Sequence, residues 1–363
     1  MRFYLIGAGF ISRTHAEAIY KKLPSEEVEL KVAEPFEKSL AEFIAAFPNA
    51  IGYGDAAEML SESPREDDIV IVGTPPAVHF ELAMLGLASG RHVLCEKPLV
   101  MDKQQSELLL QEAKSRSLWL GCCSNRFLGD AKIEAVRELL GQRKLGEPYK
   151  ATFIHRNERG RPGIEYQPWS RWFLDRSRSG GGVLIDWGPY DIALLNQLFA
   201  PVQVDVLSAW TARPLTQVDP TDCVNDVEQH VAAMLRYHTA DGKQLMVHYE
   251  RCNVTHGAPY TTTEIEGTEG AVSWDSYFSG DSVTYGRDLE GSRTSETHTY
   301  SNPEGTFGFM DNPVRYFIDK VKSDSAYALV NEQAAFNFQC MMAIYACAET
   351  REPQTVRLEG APV

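Results

Sequence analysis

Two groups of residues in this sequence have the types and spacing to do chemistry. Glu96-Lys97-Pro98 follows the apolar run "HVLC" and puts an ammonium where a strand gives way to a turn. Gly7-Ala8-Gly9-Phe10-Ile11-Ser12 interrupts the apolar opening of the chain. A lysine that is partly desolvated and close to another cation has its pKa lowered towards the range useful for proton transfer. Glycines ahead of a helix let the backbone approach an anion, which the free N–H groups of the helix N-terminus then meet.

These groups need elements to hold them. From residue 1 to about 124, apolar β-rich runs alternate with amphipathic segments: Phe3–Ile6 before a helix over Phe10–Leu23, then Val28–Ala33, Ile69–Val72, His92–Cys95 and Leu118–Cys123, each strand but the last leading into a helix. "IVIV" and "HVLC" are apolar on both faces, as strands covered on two sides must be. The alternation predicts a doubly wound parallel sheet of Rossmann type, an α/β domain over residues 1–124. After Asn125-Arg126-Phe127 and a helix near Ala131–Leu140 the texture changes. "YKATFIH", "VQVDVLSAW", "VAAMLRYH", "QLMVHYE", "TTTEIEG" and "AVSWDSY" alternate, with hairpin residues in "ADGK" and "GTEG". They predict an α+β domain over 125–363 with a large, mostly antiparallel sheet, open on one face, completed by helices at Asn312–Lys322 and Glu332–Thr350.

The opening run could instead begin a secretory signal peptide, but Arg13-Thr14-His15 is a poor cleavage site and cleavage would remove the first strand and its glycines. A strand before the glycines and a helix after them favour a dinucleotide loop, with Ser12 where the fingerprint prefers Gly or Ala. Glu34 ends the second strand; a carboxylate there can accept both ribose hydroxyls of NAD and would repel the 2′-phosphate of NADP. The bland alternative is a solvated surface glutamate. Gly73-Thr74-Pro75-Pro76 ends a buried strand and opens a helix at the sheet edge where ligands lie.

Composition excludes several classes. The net charge of −15 argues against a nucleic-acid partner. No apolar run approaches the roughly 20 residues that span a bilayer, which argues against a membrane. Seven cysteines without a C-x-x-C pair suit idle thiols in a reducing cytoplasm better than a disulfide framework or zinc site. The histidines show no metal-ligand spacing, and no metal is expected.

The combination of G-A-G-F-I-S, the T-P-P element ending at His79, E-K-P, Trp172-Phe173, the triple glycine and Asp186-Trp187-Gly188-Pro189-Tyr190-Asp191 resembles the glucose–fructose oxidoreductase/inositol dehydrogenase/MocA family over essentially the whole chain. The resemblance implies that the E-K-P lysine and the glycine–aspartate segment meet at the nicotinamide in a cleft between domains. It places Gly7, Gly9, Phe10, Ile11, Glu34, Thr74, Pro75, Pro76, His79, Glu96, Lys97, Asn125 and Trp172 at the cofactor, Trp172 alternatively as a cleft wall or substrate contact. Lys97, Asp186 and Tyr190 become the catalytic set, and Arg126, Arg156 and Asn157 join them as sugar contacts. Tyr190 replaces the histidine of many members. Relatives with tyrosine there mostly oxidise an aldose at C1 to a lactone, whereas those with histidine more often oxidise a ring carbinol. Tyr190 could equally be a core aromatic opening the helix "YDIALLNQLF", Asp186 a cap of that helix, and the glycines a flexible loop.

The expected function is an NAD-dependent sugar dehydrogenase acting at C1 of a pentose or branched aldose such as xylose or apiose. Alternatives are a cyclitol or polyol dehydrogenase, a regulator that binds NAD and sugar without catalysis, and a glycosidase that recycles its NAD. The expected partners are a small-molecule sugar and other copies of the chain. A homodimer or homotetramer would form through the open sheet face, with "VLSAW" and "AVSWDSY" supplying apolar surface.

Overall fold

The computed structural model describes residues 1–164, 167–277, 280–303, 305 and 307–361. In chain order the first elements are β1 (Arg2–Ile6), α1 (Phe10–Lys22), β2 (Glu29–Ala33), α2 (Glu37–Ala46), β3 (Ile51–Tyr53), α3 (Ala56–Met59), β4 (Ile69–Val72), α4 (His79–Ala88), β5 (His92–Cys95), α5 (Lys103–Ser115) and β6 (Leu120–Cys122). There follow α6 (Ala131–Gly141), β7 (Pro148–Arg156), α7 (Arg176–Ser179), α8 (Val183–Phe199), β8 (Pro201–Ala212), β9 (His230–Thr239), β10 (Gln244–Cys252), β11 (Tyr260–Gly267) and β12 (Gly270–Trp274). The chain ends with β13 (Ser282–Leu289), β14 (Ser292–Thr299), α9 (Asn312–Lys322), α10 (Glu332–Thr350) and β15 (Gln354–Arg357).

Two compact units emerge: Met1–Arg126 with Ser177–Gly180 and Phe307–Phe338, and Phe127–Arg176 with Gly181–Thr306 and Gln339–Val363. The first differs from the division at residue 124 by two returning segments. The reason lies in α9, whose apolar side (Val314, Phe317, Ile318) is buried, and in the bare edge of β6. Phe317 lies so close to Gly121 that a Cβ there would come within 2.7 Å of its ring. Asn331 closes the edge by accepting from the Leu120 amide at 2.8 Å, while its own amide donates to the Leu120 carbonyl at 2.7 Å.

The first unit carries a parallel sheet in the order β3-β2-β1-β4-β5-β6. β1, β4 and β5 are buried throughout, as their apolar runs require, with Arg2 and His92 buried where β1 and β5 begin. The order reverses between β1 and β4, where the carboxyl ends of the strands leave a crevice.

The second unit is built on a mixed sheet, β14-β13-β12-β11-β7-β10-β9-β8-β15, in which only β7 and β10 pair in parallel. Phe153, Tyr249, Leu235 and Tyr237 form part of its buried face. The other face carries a register-matched row of Met234, His248, Thr152 and Glu264, all half-buried. This corrects the expected source of its apolar surface. Trp274 and Val272 of "AVSWDSY" are buried inside the unit, because Trp274 pairs with inward-facing Val283. Trp210 of "VLSAW" is 49% exposed, and the rest of the row is mixed polar. Among the described residues no helix is long and apolar enough to cross a membrane.

Candidate active site

The glycine loop is shaped by contact between β1 and β4. Gly7 has φ +97°, and a Cβ on it would lie 2.9 Å from the Gly73 carbonyl oxygen. Both the backbone angle and the close approach demand glycine. Gly9 is the N-cap of α1 and offers no side-chain cap; a Cβ there would meet nothing within 4 Å. The helix therefore presents its first turn to open space, with Phe10 exposed and Ile11 half-buried beside it. Ser12, the departure from Gly or Ala, is buried and accommodated by Gly73, where a Cβ would meet its Oγ at 2.3 Å. Glu34 stands against this loop, its Oε2 accepting from the Ala8 amide at 3.0 Å and its Oε1 from the Phe36 amide at 3.1 Å. It is a loop-bound carboxylate and not a free surface glutamate. An uncapped helix N-terminus, a close-approach glycine and a carboxylate at the next strand end fit a dinucleotide.

The ends of β4 and β5 are strapped together by His79. Its ring is fully buried, with Nδ1 2.7 Å from the Pro98 carbonyl and Nε2 2.8 Å from the Thr74 carbonyl. Burial pushes the imidazole pKa down, although both carbonyls favour protons on the ring. His79 thus braces the loops bearing Thr74, exposed Pro75, buried Pro76 and Lys97 from within the unit, with no ring nitrogen left to reach a ligand. The Thr74 hydroxyl is buried without a partner.

Glu96 is the centre of a buried ionic cluster. Its Oε1 accepts from Arg126 Nη2 at 2.6 Å and lies 2.9 Å from His15 Nε2; its Oε2 accepts from the Lys97 amide at 3.0 Å. Burial alone would raise this carboxyl, but the Arg126 charge and the His15 hydrogen bond outweigh it and hold it well below the ordinary range. Cys123 Sγ lies 4.0 Å from the same His15 nitrogen. These three groups are close enough to hold a metal, yet the Arg126 guanidinium already supplies the positive charge to Glu96. Lys97 is half-buried at the end of this anchored backbone. Asn125 is buried, donating to the Tyr327 carbonyl at 2.8 Å while its Oδ1 has no partner.

In the second unit, α8 begins at Val183 and not at Tyr190, so Asp186 lies in its first turn and Pro189 inside it. Pro189 argues locally for a helix that starts after it, since a proline usually ends or opens a helix. Asp186 is half-buried and Tyr190 buried. Four residues apart, they lie on one face of the helix. The Tyr190 ring meets Phe127 edge-on at 5.3 Å and Trp187 at 6.0 Å. The adjacent Asp191 is fully buried: Arg251 donates to it from Nε at 2.9 Å and Nη2 at 2.5 Å, and Tyr249 and Tyr277 donate at 2.9 and 3.0 Å. Tyr277 in turn stacks on Phe127 at 4.0 Å. The triple glycine is a site of close packing, since a Cβ on Gly182 would fall 1.7 Å from the Glu228 carbonyl oxygen and one on Gly181 2.2 Å from the Tyr345 hydroxyl.

The remaining expected contacts are spread out. Trp172 is half-buried and stacks on Phe173 at 3.9 Å in a 3₁₀ turn over Pro168–Leu174. Arg156, at the end of β7, donates to Thr255 Oγ1 at 3.0 Å and stands 3.5 Å from Glu250. Asn157 is pinned through its backbone, its amide donating to Cys252 and its carbonyl accepting from Thr255. Arg126 is committed to Glu96 within the first unit.

Residues 1–122 match the model of an oxidoreductase family with an NAD-binding Rossmann fold, and residues 133–273 match the Gfo/Idh/MocA C-terminal domain. The chain belongs to the Gfo/Idh/MocA oxidoreductase family. A 1,5-anhydro-D-fructose reductase of Ensifer adhaerens is 26% identical over 282 residues, 75% of this chain and 74% of the relative. An inositol 2-dehydrogenase of Rhizobium meliloti is 25% identical over 273 residues, 75% of each chain. A levoglucosan dehydrogenase solved with NADH and L-sorbose shares the fold with a TM-score of 0.76 at 19% identity, covering 99% of both chains. As a member, the protein is an oxidoreductase whose cofactor is NAD.

Within this family member, sequence reasoning passed over His15, Asp191's partner Arg251, and Glu228 with Tyr345. His15 follows the glycine loop closely enough to have been noticed, but its partner Glu96 is distant in sequence. The others join α8 to strand and helix positions far along the chain, which no local pattern announces.

Proposed function

We propose that this family member is an NAD-dependent sugar dehydrogenase that oxidises an aldose at C1 to the aldonolactone, acting on a pentose or branched aldose such as xylose or apiose. The observation that carries the reading is Tyr190, a phenol set by packing on Phe127 and Trp187, one turn after Asp186 on the same face of α8. It occupies the position where resembling aldose-oxidising enzymes carry tyrosine. NAD, when bound, supplies the acceptor for the hydride leaving C1. Tyr190 takes the proton of the anomeric hydroxyl, and Lys97 assists by favouring the phenolate. Asp186 orients the sugar. Gly7, Gly9, Phe10 and Ile11 present the backbone that binds pyrophosphate, and Glu34 accepts the ribose hydroxyls. Arg156 and Asn157 are the second-unit contacts proposed for sugar hydroxyls. The similarity to an inositol 2-dehydrogenase supports a second reading, oxidation of a ring carbinol in a cyclitol or other polyol.

NAD reduction measured against a panel of aldoses and cyclitols separates the two readings, and turnover of neither class refutes both. With the best substrate, Lys97→Ala should lower kcat by about 10²–10⁴, the size of a general acid–base contribution, while NADH binding survives. Tyr190→Phe removes only the hydroxyl, so a wild-type pH–rate profile in that variant would assign the ring to packing. Association through the outer face of the large sheet belongs to the same proposal.

A further inference from the structure

The N-terminal turn of α8 is held by one residue from another part of its unit. Glu228 Oε2 accepts from the Gly182 amide at 2.9 Å and its Oε1 from the Leu184 amide at 3.1 Å. Its own backbone carbonyl accepts from the Val183 amide at 3.0 Å. Three successive donors that a helix start leaves unsatisfied therefore end on a single residue. The N-cap Gly182 has no side chain to do this itself. Tyr345, from the part of α10 that belongs to the same unit, donates to Oε1 at 2.7 Å and fixes the carboxylate from the far side. Glu228 is itself buried, and the next residue is tied into the sheet: the Gln229 amide donates to Ala212, and its carbonyl accepts from Asn253.

The glycines make this approach possible. Side chains at Gly181 or Gly182 would collide with the Tyr345 hydroxyl or the Glu228 carbonyl. The clamp thus sets where α8 begins and how it is rotated, and Asp186 and Tyr190 ride on its first two turns. Pro189 deprives α8 of one internal hydrogen bond between those turns, which increases the need for an external anchor.

We propose that Glu228, fixed by Tyr345, is a positioning residue for Asp186 and Tyr190. The clamp acts through the helix, and the proposal rests on the dehydrogenase reading given above. A displacement of about 1 Å at a reacting group is enough to cost about 10²-fold in rate.

The test uses the full chain with NAD and its best sugar. Glu228→Gln places an amide NH₂ against one of the two backbone donors, and Tyr345→Phe removes only the clamp's hydroxyl. Expected for Glu228→Gln are a fall in kcat of about 10²-fold, an NADH dissociation constant within about twofold of wild type, and faster amide exchange confined to Gly182–Leu184. Tyr345→Phe should show the same pattern more weakly. A variant with wild-type kcat and wild-type exchange overturns the proposal. So does a variant that loses thermal stability while its folded fraction keeps wild-type kcat, for then the contact is merely structural. If Glu228→Gln does not fold, the same readings on Tyr345→Phe decide. A wild-type chain that oxidises no sugar or polyol overturns the dehydrogenase reading instead. Local exchange in Tyr345→Phe then still decides whether the clamp holds α8: faster exchange upholds it, unchanged exchange overturns it.

Discussion

Replacing Arg251 by methionine leaves the Asp191 carboxylate buried without its counter-charge. Both side chains are almost wholly inaccessible, and the pair is bidentate, with Nε and Nη2 each donating to one carboxylate oxygen. Breaking such a pair from one side costs about 3–5 kcal/mol. Tyr249 and Tyr277 still donate to the stranded carboxylate, which places the loss near the lower end, about 3 kcal/mol. For a unit of this size that is a fall of about 6–12 °C in Tm, at about 2–4 °C per kcal/mol. The double variant D191N/R251M removes the uncompensated charge while keeping a carbonyl oxygen for the phenols, so it should be more stable than R251M alone. Urea titration and calorimetry of the wild type, both single variants and the double variant complete the cycle. An R251M variant within about 1 kcal/mol of wild type, the value of an exposed pair, would refute this expected loss. So would a double variant less stable than R251M. The guanidinium also lies 4.9 Å over the Trp187 ring, between Asp186 and Tyr190 in sequence, so R251M should lower kcat as well as stability.

Glu34 should make NAD preferred over NADP by about 10²-fold in kcat/KM, the worth of two hydrogen bonds to a charged group at about 1.5 kcal/mol each; equal use of NADP would sink the assignment. For Glu62, burial alone would raise the carboxyl, but hydrogen bonds from Lys31 and Tyr4 and the charges of Lys31 and Arg2 bring it down to about 2 from the ordinary 4.5. A depressed folded-state pKa contributes stability above the unfolded value and loses it as pH falls through the folded one. The stability lead of wild type over Glu62→Gln should therefore shrink between pH 4.5 and about 2, and a constant difference in acid denaturation curves would contradict this. Light scattering at micromolar concentration should give a dimer or tetramer mass, and a strictly monomeric mass would remove the outer sheet face as an interface.

Local pattern carried much of this protein. The buried strands β1, β4 and β5 were legible because parallel strands covered on both faces read as nearly continuous apolar runs. The glycine loop was legible because its backbone geometry admits few other residues, and α9 and α10 because long amphipathic or apolar segments declare a helical period. The hairpin of β13 and β14 was not: "SRTSETHT" is polar on both faces, and its turn rests on Glu290 and Gly291 at positive φ. The start of α8 was hidden for a related reason, since Pro189 argues locally against a helix that Glu228 secures from outside it. Residue type at a strand end marked Lys97 as chemistry-bearing, and the family resemblance marked Asp186 and Tyr190. Which polar groups were free to do that chemistry was decided by tertiary structure: it buried His79 as a brace, bound Arg126 to Glu96 and joined Asp191 to Arg251. A side chain's chemical type is written at one position, but its charge, burial and hydrogen-bond partners come from residues brought close only when the chain folds.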